Sequence, residues 1–120
     1  MHDPVGRNSE LAAALLDVVN ESELAAFVSG LVREAAPGIP APTGRALVTS
    51  LTRTAERTLP TLSVAIGDER RPPAPVATQT AARLFGVETE GMSAEDRDFE
   101  IARQFVRFAQ AEARRTAGAP

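Results

Sequence analysis

Cysteine is absent from this chain, which excludes disulfides, thiolate metal sites and a cysteine nucleophile. Lysine is absent as well, and all 13 basic residues are arginine, a pattern read here as coding bias rather than a demand for guanidinium groups. Tryptophan and tyrosine are missing, and the five aromatic residues are all Phe, so any core must rest on Leu, Val and Ala. His2 is the single histidine and sits next to the start, so a Ser-His-Asp arrangement would need an unusually ordered terminus. There is no phosphate-cradling glycine-rich loop, no Walker lysine and no two-histidine metal helix, so no cofactor is expected. No span approaches the roughly 18 consecutive apolar residues of a membrane helix. The first residues, Met1 to Asn8, lack a charged start followed by an apolar core. A cleaved signal peptide is therefore not expected; the expected location is cytoplasmic, and export would need a signal-independent machine.

The charge that is present is unevenly spread. A net charge of −3 argues against nucleic acid as a partner, which normally demands a clustered basic surface. Residues 1–40 hold six acids against Arg7 and Arg33, residues 41–83 six arginines against three acids, and residues 84–120 seven acids against five arginines. A locally basic middle thus lies between acidic ends.

Periodicity predicts helices throughout. Ser9 is placed to cap a helix over about 10–19, with Leu11, Leu15 and Val18 on one face. Asn20 with Glu23 forms a capping-box-like pair ahead of Leu24, Val28, Leu31 and Val32, a core stripe over about 21–36. Pro37, Gly38, Pro40 and Pro42 predict a stiff connector, and Thr43 opens a third helix to about Leu59. Pro60 ends or kinks that helix, and residues 61–66 could add a further turn or two. The stretch 67–75 reads as a polar, proline-rich loop. A short helix over about 76–85 follows, with Gly86 as its C′ residue.

The last quarter is the most informative stretch. Ser93 can cap a long helix over about 94–116, with Glu95, Asp96 and Asp98 in its first turn and Arg114 and Arg115 near its end, as the helix dipole favours. Gly118 is placed to stop it. Phe99, Ala102, Val106, Ala109 and Ala113 form an apolar stripe that Ile101, Phe105 and Phe108 widen to about half the circumference. Arg97, Glu100, Gln104 and Arg107 fall on the opposite, solvated side, with Glu100 three residues from both Arg97 and Arg103.

Two charge clusters have spacings that could serve chemistry. Asp96 and Glu100 have a spacing usable by two metal ligands, but no histidine or matching carboxylate helix accompanies them, so dipole complementation and solvation are the expected roles. Arg45, Arg53 and Arg57 lie four or eight residues apart on the third helix. They read as a solvent face, partly paired with the acidic N-terminal helices, or as a docking stripe for an acidic protein or an anionic membrane. The membrane version suffers because the apolar side of that helix is needed for the core.

Residues 10–27 (Glu10 to Phe27) together with Arg83-Leu-Phe-Gly-Val87 and the stretch on to Ala109 resemble a family of small uncharacterised bacterial helical proteins, some found near loci of extracellular contractile injection systems. The resemblance covers about half of the chain, at its two ends, and implies a setting rather than a role, catalytic residues or a cofactor. Relatives often carry a glycine-zipper-like middle; this chain has Pro60 to Pro75 there, so a membrane-insertion role is not carried over.

The expectation is an all-α domain over 9–116, a small bundle of roughly four to six helices with a proline-rich central loop, between flexible ends at 1–8 and 117–120. The helices near 21–36 and 94–116 are expected to form its main packing pair. The expected function is non-enzymatic: a structural, adaptor or cargo protein that self-associates or binds a protein partner through Phe99, Ile101, Phe105 or Phe108, with Arg45, Arg53 and Arg57 steering acidic partners. A membrane-surface role for the basic helix near 43–59 is the alternative, and an enzyme ranks third.

Overall fold

A computed structural model describes residues 4–18, 20–59, 74–88 and 90–118. Among them the chain is all-α, with five helices and no strand: α1 (Pro4–Leu16), α2 (Glu21–Ala35), α3 (Ala41–Thr58), α4 (Ala74–Phe85) and α5 (Ala94–Gly118).

Local chemistry sets most of the boundaries. Asn20 caps α2: its Oδ1 accepts from the Glu23 amide at 2.8 Å, and its Nδ2 donates to Glu23 Oε2 at 3.3 Å. The pair is capping-box-like, with the Glu23 carboxylate engaged by the Asn20 side-chain amide. Ser93 caps α5 in the same manner, its Oγ accepting from the Asp96 amide at 3.2 Å. Gly86 ends α4 at φ +70°, in the left-handed region, and its amide donates to the Ala82 carbonyl at 3.0 Å.

Other boundaries differ from the expectation, and proline explains the early starts. The first helix begins at Pro4, so Ser9 lies inside it, and residues 4–8 belong to α1. The third begins at Ala41 rather than after Thr43, with Pro42 in its first turn, where a missing amide costs nothing. The fourth takes in Ala74 and Pro75 for the same reason; the rest of the expected loop at 67–75, and residues 60–66, lie outside the described residues. At the far end α5 continues through Gly118.

The core gathers Leu15, Leu24, Val28, Leu31, Leu51 and Leu59 around Ile101, Phe105 and Val106 of α5. Seven alanines, Ala12, Ala55, Ala77, Ala81, Ala102, Ala109 and Ala113, are fully buried. Side chains this small let helix backbones approach closely. The pairing corrects one expectation: α5 packs most extensively against α1, and less against α2, which instead makes its larger contact with α3. Thr58 is buried and polar, but its hydroxyl donates to the Thr54 carbonyl at 2.7 Å.

Candidate interaction surface

The residues assigned to partner binding divide sharply. Ile101 and Phe105 are fully buried in the chain's own core, so in this structure neither presents surface to a second protein. The physical reason is that α1 and α2 together cover the broad apolar side of α5 that had seemed larger than the chain could bury. Phe99 and Phe108 are partly buried against the same core. Phe108 stacks obliquely on Phe85, ring centroids 5.4 Å apart, and Phe85 meets Phe105 edge-on at 6.5 Å. Beside these rings a shallow groove of about 270 Å³ runs between α4 and α5, with Leu84, Gln104 and Arg107 on its walls. Leu84 is 54% exposed.

The arginines behave differently. Arg45, Arg53 and Arg57 are all exposed on α3, and none makes an ion pair with the described residues. Their helix is held down by its other side, where Leu51 and Ala55 are buried. The hydroxyls of Thr49, Thr52 and Thr54 donate back to carbonyls one turn earlier, at 3.1, 2.7 and 3.2 Å. With those donors committed locally, the guanidinium groups are the strongest polar groups α3 offers to a ligand.

Arg45 also belongs to a concavity that sequence reasoning missed. An open cleft of about 540 Å³ lies between α2 and α3. Val32, Ile39 and Val48 supply its apolar lining, and Arg33 and Arg45, both exposed, contribute one cation from each helix. Arg33 is steadied by a long contact from its Nη2 to Ser29 Oγ at 3.4 Å. Ala41 and Gly44, small residues at the start of α3, also line it. Small residues do follow the proline connector in the sequence, but they carried no chemistry of their own.

On α5 the charges are mostly paired. Arg103 Nη2 reaches both Glu100 carboxylate oxygens at 3.0 and 2.8 Å, and Gln104 Nε2 donates to Glu100 at 2.9 Å. Burial alone would raise the Glu100 carboxyl, but the hydrogen bonds from Gln104 and Arg103, with the Arg103 and Arg107 charges, outweigh it and hold it below the usual glutamate value. Arg97 turns to Asp98 at 3.3 Å instead of to Glu100, and Arg115 pairs with Glu112. Among the described residues no group of three or more His, Asp or Glu side chains gathers as a metal site. No helix of the described residues is long and apolar enough to cross a membrane.

Comparison with known proteins adds no name. No protein family, curated protein or solved structure matches the chain. The geometry of α2, α3 and α5 therefore has to carry the functional reading.

Proposed function

We propose that this chain is a non-enzymatic helical interaction protein, a structural, adaptor or cargo component that recognises acidic protein surfaces through α3. One observation carries the reading: Arg45, Arg53 and Arg57 are exposed on one helix without an ion pair among the described residues, and the first of them borders an apolar cleft. Rows of unpaired guanidinium groups beside an apolar depression suit carboxylate-bearing partners, since arginine binds carboxylates in a bidentate fork. The resemblance of the chain's two ends to small bacterial proteins near contractile injection systems suggests such a machine as the setting, without naming a role in it.

The membrane-surface alternative uses the same arginines. It is weakened by the burial of Leu51, Ala55 and Leu59, the apolar groups that a surface-lying helix would have to insert into lipid. A pull-down from the native lysate, with light scattering, tests the main reading by comparing wild type with Arg53→Glu/Arg57→Glu. Loss of a captured partner in the double variant is expected. Capture that ignores the substitution overturns the role of α3, and co-sedimentation with anionic but not neutral vesicles would favour the membrane reading instead.

A further inference from the structure

The cleft between α2 and α3 has an occupant with matching chemistry in the same chain. Met92 stands 42% exposed in the connection between α4 and α5. The preceding Gly91 adopts φ +84°, a left-handed turn that side chains disfavour, and α5 starts just beyond at Ala94. Glu88, Glu90, Glu95 and Asp96 lie within four residues of Met92 in the sequence, all exposed and without an ion pair among the described residues. The segment is thus one flexible apolar side chain with carboxylates close on both sides of it along the chain. The cleft is the inverse, an apolar depression of about 540 Å³ flanked by two arginines. Both are open to solvent in the same molecule, so neither serves the other within one chain.

We propose that the Met92 segment of one copy docks into the α2–α3 cleft of a second copy. This rests on the reading of α3 as an acidic-partner surface and names that partner as the chain itself. The unbranched thioether of Met92 enters between Val32, Ile39 and Val48; methionine adapts to irregular cavities better than branched side chains do. Glu95 and Asp96, within one helical turn of it, then meet Arg33 and Arg45. The uneven distribution of charge gains a use: Arg45, from the basic middle of one copy, together with Arg33 faces the acidic C-terminal third of another.

Sedimentation velocity with interference optics suits a chain without Trp or Tyr. The wild type is expected to grow beyond monomer mass with concentration, and to dissociate several-fold more readily when salt is raised from low to near-molar strength. Arg33→Glu/Arg45→Glu, which alters only the cleft, and Met92→Lys, which alters only the anchor, are each expected to weaken association at least tenfold. An equimolar mixture of the two should recover dimers, because each supplies the intact half that the other lacks; an unfolded variant could not. A wild type that stays monomeric at every concentration overturns the proposal, as does association that both variants retain. Neither result touches the lysate pull-down with Arg53→Glu/Arg57→Glu, so failure of self-docking and failure of the wider reading are separately visible.

Discussion

The Phe85 and Phe108 rings sit 5.4 Å apart at an interplanar angle of 51°, fastening the last turn of α4 to the middle of α5. Phe105 lies behind them, fully buried, and continues the aromatic contact into the core. One short helix is in this way tied to the longest by side chains that come from a small stock of aromatics.

Phe105→Ala is expected to destabilise the fold by roughly 3–5 kcal/mol, the usual cost of truncating a buried Phe. Arg107→Ala, on the exposed side of the same helix, should change stability by less than about 0.5 kcal/mol. Thermal melts followed by circular dichroism compare the two; equal midpoints would mean that α5 faces the other way. Ile101→Glu belongs with Phe105→Ala, since a charge at a fully buried site unfolds the protein and probes no interface.

Phe85→Ala should cost less than Phe105→Ala because Phe85 is only partly buried, but its effect should be local. Amide hydrogen exchange is the discriminating measurement. The α4 amides are expected to exchange markedly faster while those of α2 keep their protection; a uniform change along the chain would show that α4 does not open by itself.

Asn20→Ala removes the α2 cap and is expected to lower stability by about 0.5–2 kcal/mol. Asn20→Asp should retain most of it, because a carboxylate accepts from the Glu23 amide and also suits the helix dipole, although it faces Glu23 itself. Denaturant titration with an unchanged m-value is the readout, and a silent Asn20→Ala would remove the cap from the account of α2.

Glu100 predicts a pH dependence. Its carboxyl is lowered in the folded chain, so the stability it contributes is complete above the unfolded glutamate value and is lost as pH falls through the lower, folded one. Wild-type melting temperature should therefore fall in the acidic range below the usual glutamate value, and Glu100→Gln should show a shallower fall there. Parallel pH profiles for the two proteins would dismiss the Arg103 and Gln104 contacts as a source of acid sensitivity.

Much of this fold was legible in the sequence where one residue type forces one local geometry. Asn20, Ser93 and Gly86 each announced a helix end through a hydrogen bond or a backbone angle that few residues supply. The apolar stripe of α5 was legible for the same reason, since period and burial agree. Starts marked by proline were misjudged: Pro42 read as part of a connector but occupies the first turn of α3, and α1 starts at Pro4 rather than after Ser9; the fixed φ of proline suits both places. Which helices pair was not legible, because that choice depends on complementary shape between α1 and α5, distant in sequence. The candidate surface suffered from this directly. Phe99, Ile101, Phe105 and Phe108 looked like surplus apolar area, but the other helices bury Ile101 and Phe105 fully and Phe99 and Phe108 in part, whereas Arg45, Arg53 and Arg57, read from spacing alone, are exposed.

The fully buried alanines make the tolerance of this core one-sided. At Ala12, Ala55, Ala77, Ala81, Ala102, Ala109 and Ala113 the side chain is already the smallest that keeps good helix propensity, so shrinking it leaves only glycine, at about 1 kcal/mol of lost propensity per site. Growth is opposed from the other direction: one extra methylene or more at a fully buried site must displace packed neighbours, at typically 1–3 kcal/mol. Drift in such a sequence is channelled to the outer faces, where arginines and carboxylates can be exchanged freely. A lineage built on this scaffold would be expected to keep its alanine positions while its surface charges, and with them its partners, turn over.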